Sequence, residues 1–312
     1  MQHHIIFAEK LKETMKTEFA IWMVSYLIRR GPDTQENIIN EWSKHINEDV
    51  EIHRNTFGNY RRKAEELFGT EISYNPVTKE YYIEDKNLIT HNAMYRWLLQ
   101  SVSASNVISR RSRLKDRIML ETSSGGEEFI EPITEAMEKG LCIELVYEAF
   151  WDEPKERTVE PYYIKLFKRR WYLIGKRRDT EEFRTYCFDR IKSVRISDIK
   201  FMFKKEQSAE TLFYDYYGII QYPMKKERVV IKVTCDQGMY IKTLPLHHSQ
   251  KLIHQDDDYM TFELYLKPCY DFVKELLSCG SELEVKSPES LREEVNKYAK
   301  EMCEIYNPKE NG

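Results

Sequence analysis

Two groups of side chains in this 312-residue chain could do chemistry, and both suit the holding of bases and phosphates rather than the breaking of bonds. The first lies between Ile52 and Ala64, where Arg54, Arg61, Arg62 and Lys63 occur with no acidic residue among them. At helical spacing Phe57, Ala64, Leu67 and Phe68 share one face with either Tyr60 or Arg61. Asn55, Asn59 and Arg62 then fall on the opposite face, flanked by Arg54 and Arg61. Asparagine pairs with two atoms of an adenine edge and arginine with two of a guanine edge, so that face has base-reading chemistry. The second group is Arg157, Arg184 and Arg190, set within apolar strand pattern and accompanied by Tyr147, Tyr162, Trp171 and Tyr172. A charge in such a setting must find an acidic neighbour or a ligand anion. Asp189 and Glu160 are internal candidates for one or two of these arginines. A ligand is the alternative, its phosphates gripped by arginine forks and its bases stacked on the rings.

Nothing comparable points to catalysis. His247-His248 has no acidic partner at useful spacing, His3-His4 lies at a start expected to be disordered, and neither forms the H-x-x-x-H pattern of a helical zinc site. Asp256-Asp257-Asp258 reads as a hydrated turn before it reads as a cation site. The glycine pair Gly125-Gly126 is followed by no Lys-Ser or Lys-Thr, so it is not a phosphate loop. The cysteines (Cys142, Cys187, Cys235, Cys269, Cys279 and Cys303) are scattered, which suits a reducing compartment and offers no zinc ligand set. No catalytic residue, metal or cofactor is therefore expected, and the chain is not expected to be an enzyme. A net charge of −4 excludes a protein that is basic throughout, so any nucleic-acid contact must come from local clusters. No apolar run approaches the roughly 18 residues of a membrane span, and no signal-peptide pattern opens the chain; a cytoplasmic protein with no membrane partner is expected.

The elements that must position these groups follow from periodicity and punctuation. A helix over residues 5–30 ends at Arg29-Arg30-Gly31-Pro32. Thr34 caps a second helix carrying Ile38, Ile39 and Trp42. A third, over 53–68, opens at His53 or Asn55 and closes at Gly69. Strands at 72–74 and 80–83 surround the Asn75-Pro76 turn that carries Lys79. Three helices and a hairpin make a winged helix-turn-helix whose third helix enters the major groove; a three-helix bundle with a solvated polar face is the plainer alternative. Two linking helices are expected over 88–120, the second (Ser105 to Leu120) holding Arg110, Arg111, Arg113, Lys115 and Arg117 against Asp116. That helix serves either as a phosphate contact or as a solvated connector. Ser123-Ser124-Gly125-Gly126 reads as a flexible point.

A short helix over 132–139 then precedes strands at 142–147, 157–162, 170–176 and 184–188, with Val194-Arg195-Ile196 as the last. In the third of these, Trp171, Leu173 and Gly175 alternate with Arg170, Tyr172, Ile174 and Lys176. A tyrosine-rich helix over 208–217 leads to strand, helix, strand, strand, helix, strand between 228 and 286, the βαββαβ order of a ferredoxin-like unit. A final helix over 288–306 is expected to be capped by Ser287, with Pro288 at its first position.

The ordered set Tyr147, Arg157, Pro161, Trp171-Tyr172-Leu173, Thr185 and Asp189-Arg190-Ile191 resembles the core of a WYL domain. The resemblance implies a five-stranded Sm-like antiparallel β-barrel that acts as a sensor in bacterial transcription regulators with an N-terminal winged helix. Some relatives bind nucleotides or single-stranded nucleic acid, and many carry a C-terminal extension implicated in ligand capture or dimerisation. Two positions depart from the family's pattern. Tyr162 stands where many relatives have histidine, and Cys187 where many have arginine, which leaves the class of ligand open.

Pattern and resemblance together imply an α+β multidomain protein: a winged helix-turn-helix domain (1–86), a helical linker (87–125), the WYL barrel (126–205) and a ferredoxin-like extension (206–312). The expected activity is ligand-responsive transcription regulation by a homodimer on double-stranded DNA. Arg54, Asn55, Asn59, Arg61, Arg62 and Lys79 would meet DNA. Tyr147, Arg157, Tyr162, Trp171, Tyr172, Arg184 and Arg190 would hold a nucleotide or single-stranded effector. The second reading is a nucleic-acid-binding accessory protein of a defence or repair system, with the barrel as its main binding surface.

Overall fold

The computed structural model describes residues 2–46, 52–110, 117–122, 124–203, 213–220 and 223–307, with side chains left undescribed at 2–12, 54, 106, 107, 109 and 110. The chain is a mixed α/β protein with a helical N-terminal region and several antiparallel sheets, divided into compact units at Met1–Glu121 and Thr122–Gly312.

In the first unit α1 (Gln2–Arg30), α2 (Gln35–Ile46) and α3 (Arg54–Phe68) pack around aromatic rings. Phe19 of α1 meets Trp42 of α2 edge-on at 5.3 Å and Phe57 of α3 at 6.1 Å, and all three are buried. Such edge-to-face pairs add to the area they bury and fix the helices' mutual angle. Thr34 caps α2, accepting from the Asn37 N–H at 3.3 Å. Gly69 ends α3 in the left-handed conformation that glycine adopts without a Cβ clash. His53 occupies the cap position of α3, and its side chain makes no capping bond.

Beyond α3 a small sheet forms from β1 (Asp33–Thr34), β2 (Ile72–Asn75) and β3 (Glu80–Ile83), in the order β1-β3-β2. The third strand, β1, has too few residues to carry a periodic signal; Asp33 pairs with Tyr81 and accepts the Tyr26 hydroxyl at 2.6 Å. The linking helices divide at Asn92 rather than before Ser105: α4 (Lys86–His91) is short, and α5 (Ala93–Arg110) runs unbroken. Asp85 and Asn92 each accept backbone N–H groups at the helix starts, which is what fixes those boundaries. Of the basic cluster in this linker, Arg111, Arg113, Lys115 and Asp116, and the side chain of Arg110, lie outside the described residues.

In the second unit α6 (Ile130–Lys139) covers one face of a five-stranded antiparallel sheet. Its strands are β4 (Leu141–Tyr147), β5 (Lys155–Phe167), β6 (Arg170–Arg177), β7 (Phe183–Cys187) and β8 (Ile191–Lys200), in the order β7-β6-β5-β4-β8. Ile143, Leu145, Val159, Leu173 and Phe188 are fully buried beneath α6. The glycine pair before α6 is not simply a flexible point. A Cβ on Gly126 would lie 2.6 Å from the backbone carbon of Phe188, so the chain passes this close only because residue 126 has no side chain. Ser123 lies outside the described residues.

The rest of the unit is a four-stranded antiparallel sheet: β9 (Glu227–Thr234), β10 (Lys251–Gln255), β11 (Tyr259–Leu266) and β12 (Leu283–Ser287), in the order β10-β11-β9-β12. The helices α7 (Cys235–Thr243) and α8 (Tyr270–Ser278) follow its first and third strands, and α9 (Glu289–Tyr306) closes the chain. Ser287 does not cap α9 as expected; it pairs with Val230 as the last residue of β12, and Pro288 takes the cap position. Of the tyrosine-rich helix expected over 208–217, residues 208–212 lie outside the described residues. Residues 213–220 lie between the two sheets. Phe213 and Ile219 pack on the first, and Tyr217 packs on the second.

Candidate nucleic-acid interface and sensor site

On α3 the burial alternates as helical spacing requires: Phe57, Ala64 and Phe68 are buried, while Asn55, Asn59 and Arg62 are exposed. Arg62 donates to the Asn59 side-chain oxygen, which sets the two polar groups side by side one turn apart. Lys79 is exposed in the hairpin turn at a φ of +61°, held there by its N–H to the Asn75 carbonyl at 2.8 Å. Asn75 also accepts the Val77 N–H at 2.9 Å through its side chain, which shapes the turn.

Arg61 is placed differently from the other expected base-reading residues. It is half-buried, donates to the Ile72 carbonyl at 3.2 Å and has Glu65 at 3.8 Å, while Glu65 accepts the Ile72 N–H at 3.0 Å. Arg61 and Glu65 thus tie both backbone groups of Ile72 to α3, so Arg61 fixes the hairpin on the helix rather than facing outward. The Arg54 side chain lies outside the described residues.

In the five-stranded sheet, side-chain pairing sorts the arginines. Arg170 bonds Asp189 at 3.0 Å, Arg178 bonds Glu160 at 2.8 Å, and Arg177, Arg184 and Arg195 pair with Asp179, Glu182 and Glu144. Asp189 and Glu160, the two internal partners the sequence offers, are thus taken by arginines other than Arg157 and Arg190. Arg157 donates only to the neighbouring Glu156 carbonyl at 2.9 Å. The Arg190 guanidinium lies 5.2 Å from the Tyr147 ring centre and 4.3 Å from that of Phe150, and its Nε has no hydrogen-bond partner among the described residues. Among the described residues neither has a carboxylate within ion-pair distance.

A run of aromatic contacts joins these two arginines. Tyr147 beside Arg190 meets Tyr186 edge-on at 5.1 Å, and Tyr186 lies in the field of Arg177, Arg157 and Arg184. Burial pushes the Tyr186 phenol up to about 12 although those three charges oppose the shift. Its hydroxyl is buried and has no hydrogen-bond partner among the described residues. The Tyr147 hydroxyl, in contrast, accepts the Cys187 N–H at 3.2 Å.

The other expected ligand residues do not join this group. Tyr172 is 9% exposed, and the Tyr163, Phe167, Phe183, Phe213 and Ile219 side chains pack against its cluster. Tyr162 is 7% exposed beneath Phe183, Phe201 and Phe203. Alternation in β6 correctly separates Leu173 from Tyr172, but both faces are covered, the second by residues that follow the sheet in sequence. Trp171 is half-buried against the core beneath α6, and Arg184 is exposed beside Glu182. Tyr186 and Phe150 are functional candidates that the sequence reading passes over. The two-residue step from Arg184 to Tyr186 is the signal that could have found the first.

At the opposite end of β5, Lys165 donates to the Gly218 carbonyl and lies 4.3 Å from the Phe213 ring centre. Burial lowers its ammonium to about 8, against the opposing pull of Asp271. Asp271 in turn accepts the Ile219 and Ile220 N–H groups at 2.9 and 3.0 Å, and Lys168 bonds Glu275 at 2.6 Å. The strand that carries Arg157 is thereby bonded at its far end to the strap ahead of the second sheet and to α8. Among the described residues no group of histidine, cysteine and acid side chains is arranged to hold a metal, and no helix is long and apolar enough to cross a membrane.

Residues 128–196 match the WYL domain and residues 225–303 the WCX domain. The chain thus carries a WYL domain followed by a WCX domain. Among solved structures it is similar to proteasome accessory factor B/C (PafBC) of Arthrobacter aurescens, at 17% identity over 83% of this chain, with a TM-score of 0.27. The match spans 44% of the PafBC chain. It is also similar to a CRISPR Cas-related protein at 12% identity, over 95% of this chain and 86% of that one, with a TM-score of 0.38. No curated protein matches the sequence.

Proposed function

We propose that this protein is a DNA-binding transcription regulator whose WYL domain senses an anionic ligand, a nucleotide or a single-stranded nucleic acid. The reading takes the first unit as a winged helix-turn-helix, the five-stranded sheet as an Sm-like barrel and the last sheet as a ferredoxin-like extension. The protein acts as a homodimer in the cytoplasm and catalyses no reaction. Asn55, Asn59 and Arg62 meet base edges in the major groove, with Lys79 and Arg54 on phosphates. The observation that carries the sensing half is that, among the described residues, Arg157 and Arg190 have no carboxylate partner in a sheet where neighbouring arginines are paired. A ligand phosphate supplies the missing charge, since an unpaired guanidinium beside apolar rings gains more from an anion than from water.

Ligand binding at Arg157 then acts through β5 on the Lys165 and Lys168 contacts, biasing the arrangement of the C-terminal module and with it the spacing of two DNA-binding units. The test is duplex affinity measured with and without a single-stranded oligonucleotide, for the wild type and for Arg157→Ala and Arg190→Ala. The reading expects the oligonucleotide to change duplex affinity in the wild type and to lose that effect in either variant. An identical response in wild type and variants contradicts it.

A further inference from the structure

The loop between β4 and β5 holds two aromatic side chains that the core does not use. Phe150 is 67% exposed and Trp151 103% exposed, and Trp151 is held at a φ of +67°, a backbone region that bulky residues rarely occupy. Both line a cleft of about 610 Å3 that also includes Arg190 and Lys192. Four carboxylates share its lining: Glu148, Asp152, Glu153 and Asp189. Three of these acids already hold cations (Glu148 with Lys192, Asp152 with Lys155 and Asp189 with Arg170), yet each keeps lone pairs that can accept from a further donor. The cleft is suited to a flat, uncharged ring that can stack and donate.

We propose that this cleft is a nucleobase subsite, in which a base carrying an exocyclic amino group stacks on Trp151 and Phe150 and donates to the carboxylate rim. The proposal rests on the sensing reading above and adds its selectivity. The Arg190 guanidinium at 4.3 Å from the Phe150 ring centre covers part of that ring and joins it to Tyr147, so the base extends an existing cation–aromatic stack. The attached phosphate is turned from the acidic rim toward Arg190 and Arg157. Adenine, cytosine and guanine each present an amino group to the carboxylates. Thymine and uracil present carbonyl oxygens in its place, and carboxylates repel those.

The experiment measures binding of labelled short single strands of deoxyadenosine, deoxycytidine and deoxythymidine to the full chain across a salt series. The expected order places the adenine and cytosine strands tighter than the thymine strand. Trp151→Ala weakens the first two about 5- to 150-fold, the loss of one stacked base, with the salt dependence unchanged. Arg157→Ala weakens all three alike and lowers the salt slope. Trp151 is fully exposed, so an unchanged melting temperature accompanies its loss. Affinity that is equal for the three strands, or unaffected by Trp151→Ala, overturns the subsite and leaves the sensing reading standing. Binding of no strand by the wild type overturns both.

Discussion

The close approach of Gly126 to Phe188 can be tested against an internal control one residue away. Gly125 and Gly126 both have positive φ, +85° and +90°, so an alanine at either position incurs left-handed strain of about 1–2 kcal/mol. Only at Gly126 does the added methyl collide: its Cβ would lie 2.6 Å from the Phe188 carbon, 2.7 Å from its Cβ and 2.8 Å from its carbonyl oxygen. At Gly125 nothing among the described residues lies within 4 Å of that position. The Phe188 atoms are mostly backbone and cannot rotate away, so overpacking adds about 1–3 kcal/mol at Gly126 alone. For a unit of this size that difference lowers the melting temperature of Gly126→Ala by about 2–12 °C relative to Gly125→Ala. Calorimetry of the two variants measures it directly. Phe188 also anchors the turn that carries Asp189 and Arg190, so Gly126→Ala is expected to weaken single-strand binding as well. Equal melting temperatures for the two variants would refute the packing argument.

Further expectations concern the hairpin turn and a buried histidine. Lys79→Gly removes the strain of a +61° φ and is expected to stabilise the first unit by about 1 kcal/mol in thermal melts while reducing the salt slope of duplex binding by about one phosphate contact. A variant that melts lower, or binds duplex with an unchanged slope, contradicts one half or the other. His247 is buried, its Nε2 bonded to the Tyr214 carbonyl at 2.8 Å and its Nδ1 to the Ser249 hydroxyl at 2.7 Å. Burial and the adjacent His248 lower its imidazolium from 6.5 to about 4. Between those values the unfolded chain binds the proton and the folded one does not. Stability is therefore full above pH 6.5 and falls as the pH drops toward 4, by up to about 3 kcal/mol. His247→Gln is expected to flatten the stability profile between pH 6.5 and 5, and a profile as steep as that of the wild type counts against this account.

Legibility in the sequence followed the range of each interaction. Helical spacing in α3, the Gly69 stop and the alternation of β6 are local, and the burial of Phe57, Phe68 and Leu173 follows them. The Asn55, Asn59 and Arg62 edge could be read for the same reason. What stayed hidden depends on partners far along the chain. The two-residue strand β1 is defined by its pairing with Tyr81 and Glu80. Tyr172 lies on a face that is covered by Phe213 and Ile219, some forty residues later. Arg61 has the composition of a base reader, yet Ile72 decides its orientation. The sequence names the arginines and acids of the sheet, but which pairs close, and hence that Arg157 and Arg190 are left over among the described residues, depends on strand register. Gly126 has the local signature of a linker and the three-dimensional role of a contact, because Phe188 is 62 residues away.

The most direct test of the central claim is selection of duplexes from a random pool by the purified chain, run in parallel for the wild type and for Asn59→Ala combined with Arg62→Ala. Both side chains are exposed, so the double variant should fold and melt as the wild type does. The account predicts that the wild type enriches a defined sequence and that the double variant retains only salt-sensitive, sequence-independent binding. Enrichment of the same sequence by both proteins would contradict it.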